Sequence, residues 1–240
     1  MRSRTTVVGV LAALADLILP RSCVACHAPG TLLCDSCQPA GPLVHRGARG
    51  LPVLAAGEYA DGLRAALVAY KERDRRDLAA PLAALLGRAV EGWLTHCPDA
   101  VLVPIPSAPS AARRRGGDHV LRLARGAARP AAIPVLRALH TVRAVADSAG
   151  LGVDARATNL AFAFAAARPA TPASALLVDD IVTTGTTLAE AARALTAAGW
   201  GLAGAAVVAA TPRRGAATLV RFAASSHRSA AGTSVPTGLT

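Results

Sequence analysis

Along the chain, short runs of Val, Leu, Ile and Ala alternate with longer stretches in which apolar residues recur every three or four positions. Val7, Leu11, Leu14 and Ile18 have that helical spacing and predict an amphipathic helix near the start. Residues 53–60 read as a short strand leading into Tyr59. Helical spacing then runs through Leu63, Leu67, Tyr70, Leu78, Leu82 and Leu85, and the polar patch 71–77 with Pro81 divides it into two helices. Ala100–Ile105 is a buried-strand candidate that Pro104 and Pro106 end abruptly. A helix over about 118–128, a short strand over 131–136 and a polar stretch around 137–158 follow. The clearest unit is the apolar run Ala175–Val178, closed by Asp179 and Asp180, then turn residues and a helix over about 186–198 with Gly199 at its end. Ala205–Ala210 supplies the next strand and Leu219–Ala223 a candidate edge strand. This strand–helix–strand repetition predicts an α/β fold, a parallel sheet flanked by helices.

The expected organisation is an N-terminal helix and cysteine module over residues 1–50, an α/β domain over 51–224 and a loose tail over 225–240. A hydrophobic content of 52% argues against wholesale disorder, and alanine-rich helices on a sheet suit the 3% aromatic content better than an all-β sandwich does. The formal charge is +11, with Lys71 the single lysine among 26 basic residues. Arginine suits bidentate phosphate binding, so the charge can serve nucleic acid or a small polyanion, or be a solvated surface with an arginine bias. The N-terminal run imitates a signal peptide, but Asp16 interrupts it and no clean small-x-small site ends it. No stretch reaches a convincing membrane span, and the expected compartment is the cytoplasm.

Cys23, Cys26, Cys34 and Cys37 form two CxxC pairs with seven residues between them. Each pair lets two thiolates converge from one tight turn, and two such turns complete a tetrahedral zinc site. Two disulfides are the competing reading, which a reducing compartment disfavours. With four thiolates at the corners no position is left for a catalytic water, so the expected Zn²⁺ is structural. His27 is read as a bystander and Cys97 as a buried or semi-buried thiol.

The strongest chemical signal is LLVDDIVTTGTTL, residues 176–188. Ligands of open α/β sheets lie beyond the carboxyl ends of the strands. There this sequence offers Asp179 and Asp180, then Thr183, Thr184, Gly185, Thr186 and Thr187, then a helix start. Backbone N–H groups and threonine hydroxyls of that turn can surround a phosphate, with Gly185 permitting close approach. The two carboxylates would repel a bare phosphate but are natural acceptors for ribose hydroxyls, and they can face a Mg²⁺-bearing ligand. An ordinary strand-to-helix turn with threonine caps is the plainer reading; two consecutive acids at a buried strand end count against it. The loop is neither a GxxxxGK phosphate loop nor a GxGxxG dinucleotide fingerprint.

The DD-x-x-TTGTT loop resembles the ribose-phosphate signature of type I phosphoribosyltransferases. Together with the cysteine module, roughly residues 14–211 resemble the ComF family, proteins associated with bacterial competence and DNA uptake. Further likenesses are Tyr59, Tyr70–Lys71, the Val103–Pro104–Ile105–Pro106 strand end and the segment Thr141, Asp147–Ser148, Leu151, Arg156 and Asn159. Gly117, Asp118 and His119 depart from the family, which shows Phe, Asn and Gln there, and Arg143 replaces a glutamine. The resemblance implies a type I phosphoribosyltransferase-like sheet that binds 5-phosphoribosyl 1-pyrophosphate with Mg²⁺. If the protein is an enzyme, it transfers phosphoribosyl to a nitrogen acceptor. Arg113, Arg114 and Arg115, or Lys71 and Arg73, would then neutralise the leaving pyrophosphate, while Asp179 and Asp180 hold the ribose. His119 is read as a surface or helix-start residue rather than a base. Two other classes stay open: a nonenzymatic ribose-phosphate-binding regulator, and a DNA-uptake accessory protein that contacts nucleic acid, against which stands the lack of basic–aromatic interleaving.

Overall fold

The computed structural model describes residues 21–46, 50–107, 117–142 and 162–211. Its main sheet contains β1 (Leu43–Arg46), β2 (Pro52–Glu58), β7 (Gly201–Ala210), β6 (Ser174–Val182) and β3 (Val101–Pro104), in that spatial order. The last four are mutually parallel, and β1 pairs antiparallel on the outer side of β2. Four helices accompany them: α1 (Asp61–Glu72), α2 (Ala79–Leu94), α3 (His119–Ala128) and α4 (Thr186–Ala197). A separate hairpin joins β4 (Leu139–Thr141) to β5 (Phe164–Ala166). The expected α/β class and mostly parallel sheet are therefore present.

Burial on both faces explains the sequence of the central strands. Leu176, Val178, Ala206 and Val208 pack with Leu67, Leu82, Leu86 and Leu123 of α1–α3. Leu177, Ala205 and Val207 pack instead with Leu188, Ala191 and Leu195 of α4 and with Leu139 and Phe164 of the hairpin. A strand covered on both sides reads as a continuous apolar run rather than an alternating one. The hairpin is pinned to the α4 layer by polar contacts: Arg193 donates to the Phe164 carbonyl at 3.1 Å, and the Trp200 indole to the Ala167 carbonyl at 2.8 Å.

The predicted helix pair breaks at residues 73–78, within the polar patch, whereas Pro81 sits in the first turn of α2. A proline is tolerated there because the first N–H groups of a helix have no intrahelical acceptor. The strand expected over 131–136 reduces to one parallel bridge between Val135 and Leu102, flanked by Leu102 N–H to Pro134 O and Leu136 N–H to Leu102 O, each 2.9 Å. Pro134 has no N–H and cannot carry a ladder further. β6 runs four residues beyond the expected Val178, through both aspartates to Val182. β1 and β4 lie in stretches read as a connector and a polar segment, and β5 follows the latter. The predicted N-terminal helix, the Leu219–Ala223 strand and the tail lie outside the described residues.

The cysteine module rests directly on the domain. Cys23 and Leu33 join the core beneath α1–α3. A Cβ placed on Gly62, in the first turn of α1, would meet the Cys37 carbonyl oxygen at 2.5 Å and its Cβ at 2.7 Å, whereas one on Gly87 of α2 meets nothing nearer than 3.8 Å. Opposite outcomes are expected for the same substitution. Gly62→Ala should lower stability by about 2 kcal/mol through overpacking. Gly87→Ala should raise it by roughly 0.5–1 kcal/mol through helix propensity. Denaturant midpoints of the two variants decide this, and equal shifts would contradict the close docking of the module.

Candidate functional site

Two places in the fold gather chemistry. In the module, the sulfurs of Cys23, Cys26, Cys34 and Cys37 lie within 4.8 Å of one another, with Cys26 and Cys34 3.5 Å apart. Each CxxC is closed by backbone bonds, His27 N–H to Cys23 O and Cys37 N–H to Cys34 O, both 2.9 Å, which turn the chain back so that its paired thiols converge. No disulfide joins any two of them. Burial opposes ionisation of Cys23, but backbone N–H groups of Cys26, Cys34 and Ala25 outweigh it and lower the thiol to about 6. Cys37 is pushed up to about 12, first by its contacts with Cys34 and Cys26. One thiolate is thus favoured and further negative charge resisted, an imbalance that a central cation removes. Sulfurs around a tetrahedral cation at about 2.3 Å stand roughly 3.8 Å apart, within the spread seen here. The four cysteines can therefore hold a metal ion. His27, exposed and at φ 63°, is not part of the donor group.

The second place is the carboxyl edge of the parallel sheet, where β6 passes into α4. Gly185 caps α4 in the left-handed region at φ 77° and has no side chain to bond the first N–H groups. Threonine hydroxyls surround this helix start: Thr184 and Thr186 contact each other at 2.8 Å, Thr183 is exposed and Thr187 half-buried. The turn therefore presents N–H and O–H groups together at a helix N-terminus, the geometry that suits an anion.

The two aspartates before this turn have different surroundings. Residues along β6 alternate, so Asp180 follows Leu176 and Val178 to the α1–α3 face and Asp179 follows Leu177 to the other. Asp180 is 4% exposed. Lys71 of α1 lies 3.0 Å from its Oδ1 and 2.9 Å from its Oδ2, and His119 Nε2 lies 2.6 Å from Oδ2. Burial would raise the Asp180 carboxyl, but the Lys71 charge and the His119 hydrogen bond outweigh it and hold the group well below the usual carboxylate range. Its contribution to stability is consequently present above ordinary carboxylate pKa values and is lost in acid. Asp179 is half-buried and accepts the Asp180 backbone N–H at 2.8 Å. Burial, then the charge on Asp180, push Asp179 up to about 8. Its sign is the reverse: the fold loses stability as pH rises from the ordinary carboxylate range towards about 8.

The network extends beyond Asp180. His119 Nδ1 lies 3.0 Å from Ser107 Oγ, which donates to Asp118 Oδ1 at 3.1 Å; Asp118 also caps α3 by accepting the Leu121 N–H at 3.1 Å. Tyr70 donates its hydroxyl to the His119 carbonyl at 3.2 Å. Of the sequence candidates, the structure thus brings Lys71 to Asp180 and gathers the threonine turn beside Asp179. Arg113 and Arg115, with Arg114, Arg156 and Asn159, lie outside the described residues, and Arg73 is exposed. His119 does open a helix, as expected, yet it is 6% exposed rather than a surface residue. Its partnership with Ser107 and Asp118 is not legible in the sequence, because one polar residue at a helix start carries no signal without its partner.

A cavity of about 450 Å³ lies between the module and the domain, lined by Gln38, Pro39, Leu43, Glu58, Asp61 and Leu63 among others. It opens at the carboxyl end of β2. Glu58 and Val182 both pair with Ala210 of β7, so the cavity lies roughly 10 Å across the sheet edge from the turn. No described helix is long and apolar enough to cross a membrane. No protein-family model matches the chain, and no curated protein matches it.

The metal-holding capacity has a direct test. One equivalent of Zn²⁺ added to chelator-treated protein should raise the unfolding temperature, by an amount that grows with free metal, and Cys34→Ser should remove the rise. An unchanged melting curve on metal addition would exclude a folding role for the cluster.

Proposed function

We propose that this chain is a phosphoribosyltransferase-like protein that binds 5-phosphoribosyl 1-pyrophosphate with Mg²⁺, and that its four cysteines hold a structural Zn²⁺. The observation that carries the reading is the β6–α4 turn. It sits at the carboxyl edge of a parallel sheet, starts a helix at a glycine N-cap, carries hydroxyls at Thr183, Thr184, Thr186 and Thr187, and follows the half-buried carboxyl of Asp179. An anion is matched by the N–H groups and hydroxyls, and the neighbouring Asp179 by hydroxyl donors, so a ligand combining phosphate with a sugar diol fits both. The resemblance to type I phosphoribosyltransferases and the ComF family supports the same assignment. An all-thiolate donor set favours zinc and leaves no open position for catalysis.

When bound with the ligand, Mg²⁺ neutralises pyrophosphate charge. The chain's own contributions are positional and electrostatic. The turn holds the 5-phosphate, and Asp179 accepts from the ribose. The arginines at 113–115 are assigned to the leaving pyrophosphate, whose negative charge grows as the bond to C1 breaks. The cavity at the end of β2 is the room we assign to a nitrogen acceptor, its size falling within the range of small-molecule sites.

Calorimetric titration of zinc-loaded protein with 5-phosphoribosyl 1-pyrophosphate and Mg²⁺ tests the reading. Saturable binding is expected, weakened roughly tenfold or more in Thr187→Val, which removes one hydroxyl donor to a charged group while keeping the side-chain shape. Absence of binding by folded wild-type protein would overturn the assignment.

A further inference from the structure

We infer that the two adjacent aspartates divide their work: Asp179 alone is free to meet the ligand, while Asp180 is a positioning residue, locked by Lys71 and His119 in a hydrogen-bonded chain that ties the segment after β3 to the end of β6. The ligand half of this inference rests on the function proposed above; the division itself does not.

Acceptor capacity and burial separate the two groups. Asp180 is buried, and both of its oxygens are engaged, Oδ1 by Lys71 and Oδ2 by Lys71 and His119. A sugar hydroxyl reaching it would have to displace a charged partner. Asp179 is half-buried and, among the described residues, is hydrogen-bonded only by the Asp180 backbone N–H, at Oδ1. Among the described residues no hydrogen bond engages its second oxygen, and the alternation of β6 sets it opposite the Lys71–His119 clamp.

Asp180 as a carboxylate can only accept, so His119 donates to it from Nε2, and its Nδ1 lies 3.0 Å from Ser107 Oγ. Ser107 passes the chain on to Asp118, whose Oδ2 also lies 3.4 Å from the Ser107 N–H. The charged and titratable groups around His119 are thus Asp180 from β6, Lys71 and Tyr70 from α1, and Asp118 at the cap of its own helix. Ser107 lies three residues beyond the end of β3 and precedes the segment of Arg113, Arg114 and Arg115 in the sequence. The chain Lys71–Asp180–His119–Ser107–Asp118 therefore fixes the root of that segment against the β6 end. A glutamine at 119 can still donate an amide N–H to Asp180; a leucine cannot.

The test uses full-length zinc-loaded protein with Asp179→Asn, Asp180→Asn, His119→Gln and His119→Leu, reading unfolding temperature and calorimetric affinity for 5-phosphoribosyl 1-pyrophosphate with Mg²⁺. Asp179→Asn should weaken binding roughly tenfold or more with no loss of unfolding temperature. His119→Gln should keep both properties near wild type, and His119→Leu and Asp180→Asn should lower the unfolding temperature. Carboxyl ¹³C spectra of ligand-free protein supply a second, independent readout. The Asp179 signal should titrate near pH 8, and the Asp180 signal should stay that of a carboxylate from pH 5 to 9. Equal loss of affinity in Asp179→Asn and a normally folded Asp180→Asn would overturn the division, as would titration of Asp180 rather than Asp179 in that range. If wild type binds nothing, the ribose-phosphate reading falls, and the carboxyl spectra alone decide whether the two aspartates are divided as inferred.

Discussion

A buried carboxylate with two cationic or hydrogen-bonding partners is the constraint around which the carboxyl edge of this sheet is organised. Asp180 sits 4% exposed near the end of a strand whose residues 175–178 are wholly apolar and buried. An uncompensated charge there would be far too costly to keep. The fold meets that cost by bringing Lys71 from the end of α1 and His119 from the start of α3 to the same side chain. Three segments distant in sequence are thereby held in one place. The single lysine of the chain is used at this point. A compact ammonium on a flexible stem reaches a buried carboxylate while remaining partly in solvent, its side chain 25% exposed.

With Asp180 committed, the neighbouring groups acquire separate tasks. Asp179 turns to the other face of β6 and bears the electrostatic consequence, since the fixed charge beside it resists a second ionisation. The turn from Val182 to Thr187 brings N–H groups at a helix start together with threonine hydroxyls. A ligand that brings acceptors for the turn and donors for Asp179 complements both. The cysteine module packs through Cys37 on the first turn of α1, the helix that carries Lys71 near its other end.

Much of this was legible in the sequence, and unevenly so. The helices α1, α2, α3 and α4 follow the spacing of Leu63, Leu67, Leu82, Leu123 and Leu188, because one-sided burial writes a period into the chain. The Cys23–Cys37 cluster follows from spacing alone, since CxxC geometry is local. Less legible were features set by distant partners. β1 is held by pairing to β2, and four residues in a connector carry no period of their own. The length of β6 was underestimated because charged residues read as a strand end, whereas Asp179 and Asp180 are in-strand residues stabilised from α1 and α3. His119 was misplaced for the same reason: its burial is decided by Asp180, 61 positions away.

The central claim is that the β6–α4 turn is a ribose-phosphate site, and backbone amide spectra recorded during titration with 5-phosphoribosyl 1-pyrophosphate and Mg²⁺ address it at the atoms concerned. The expected result is saturable displacement of the Gly185, Thr186 and Thr187 amide signals, with smaller changes elsewhere on the sheet edge. Saturation with those three signals unmoved would place the ligand somewhere else on the protein and contradict the assignment.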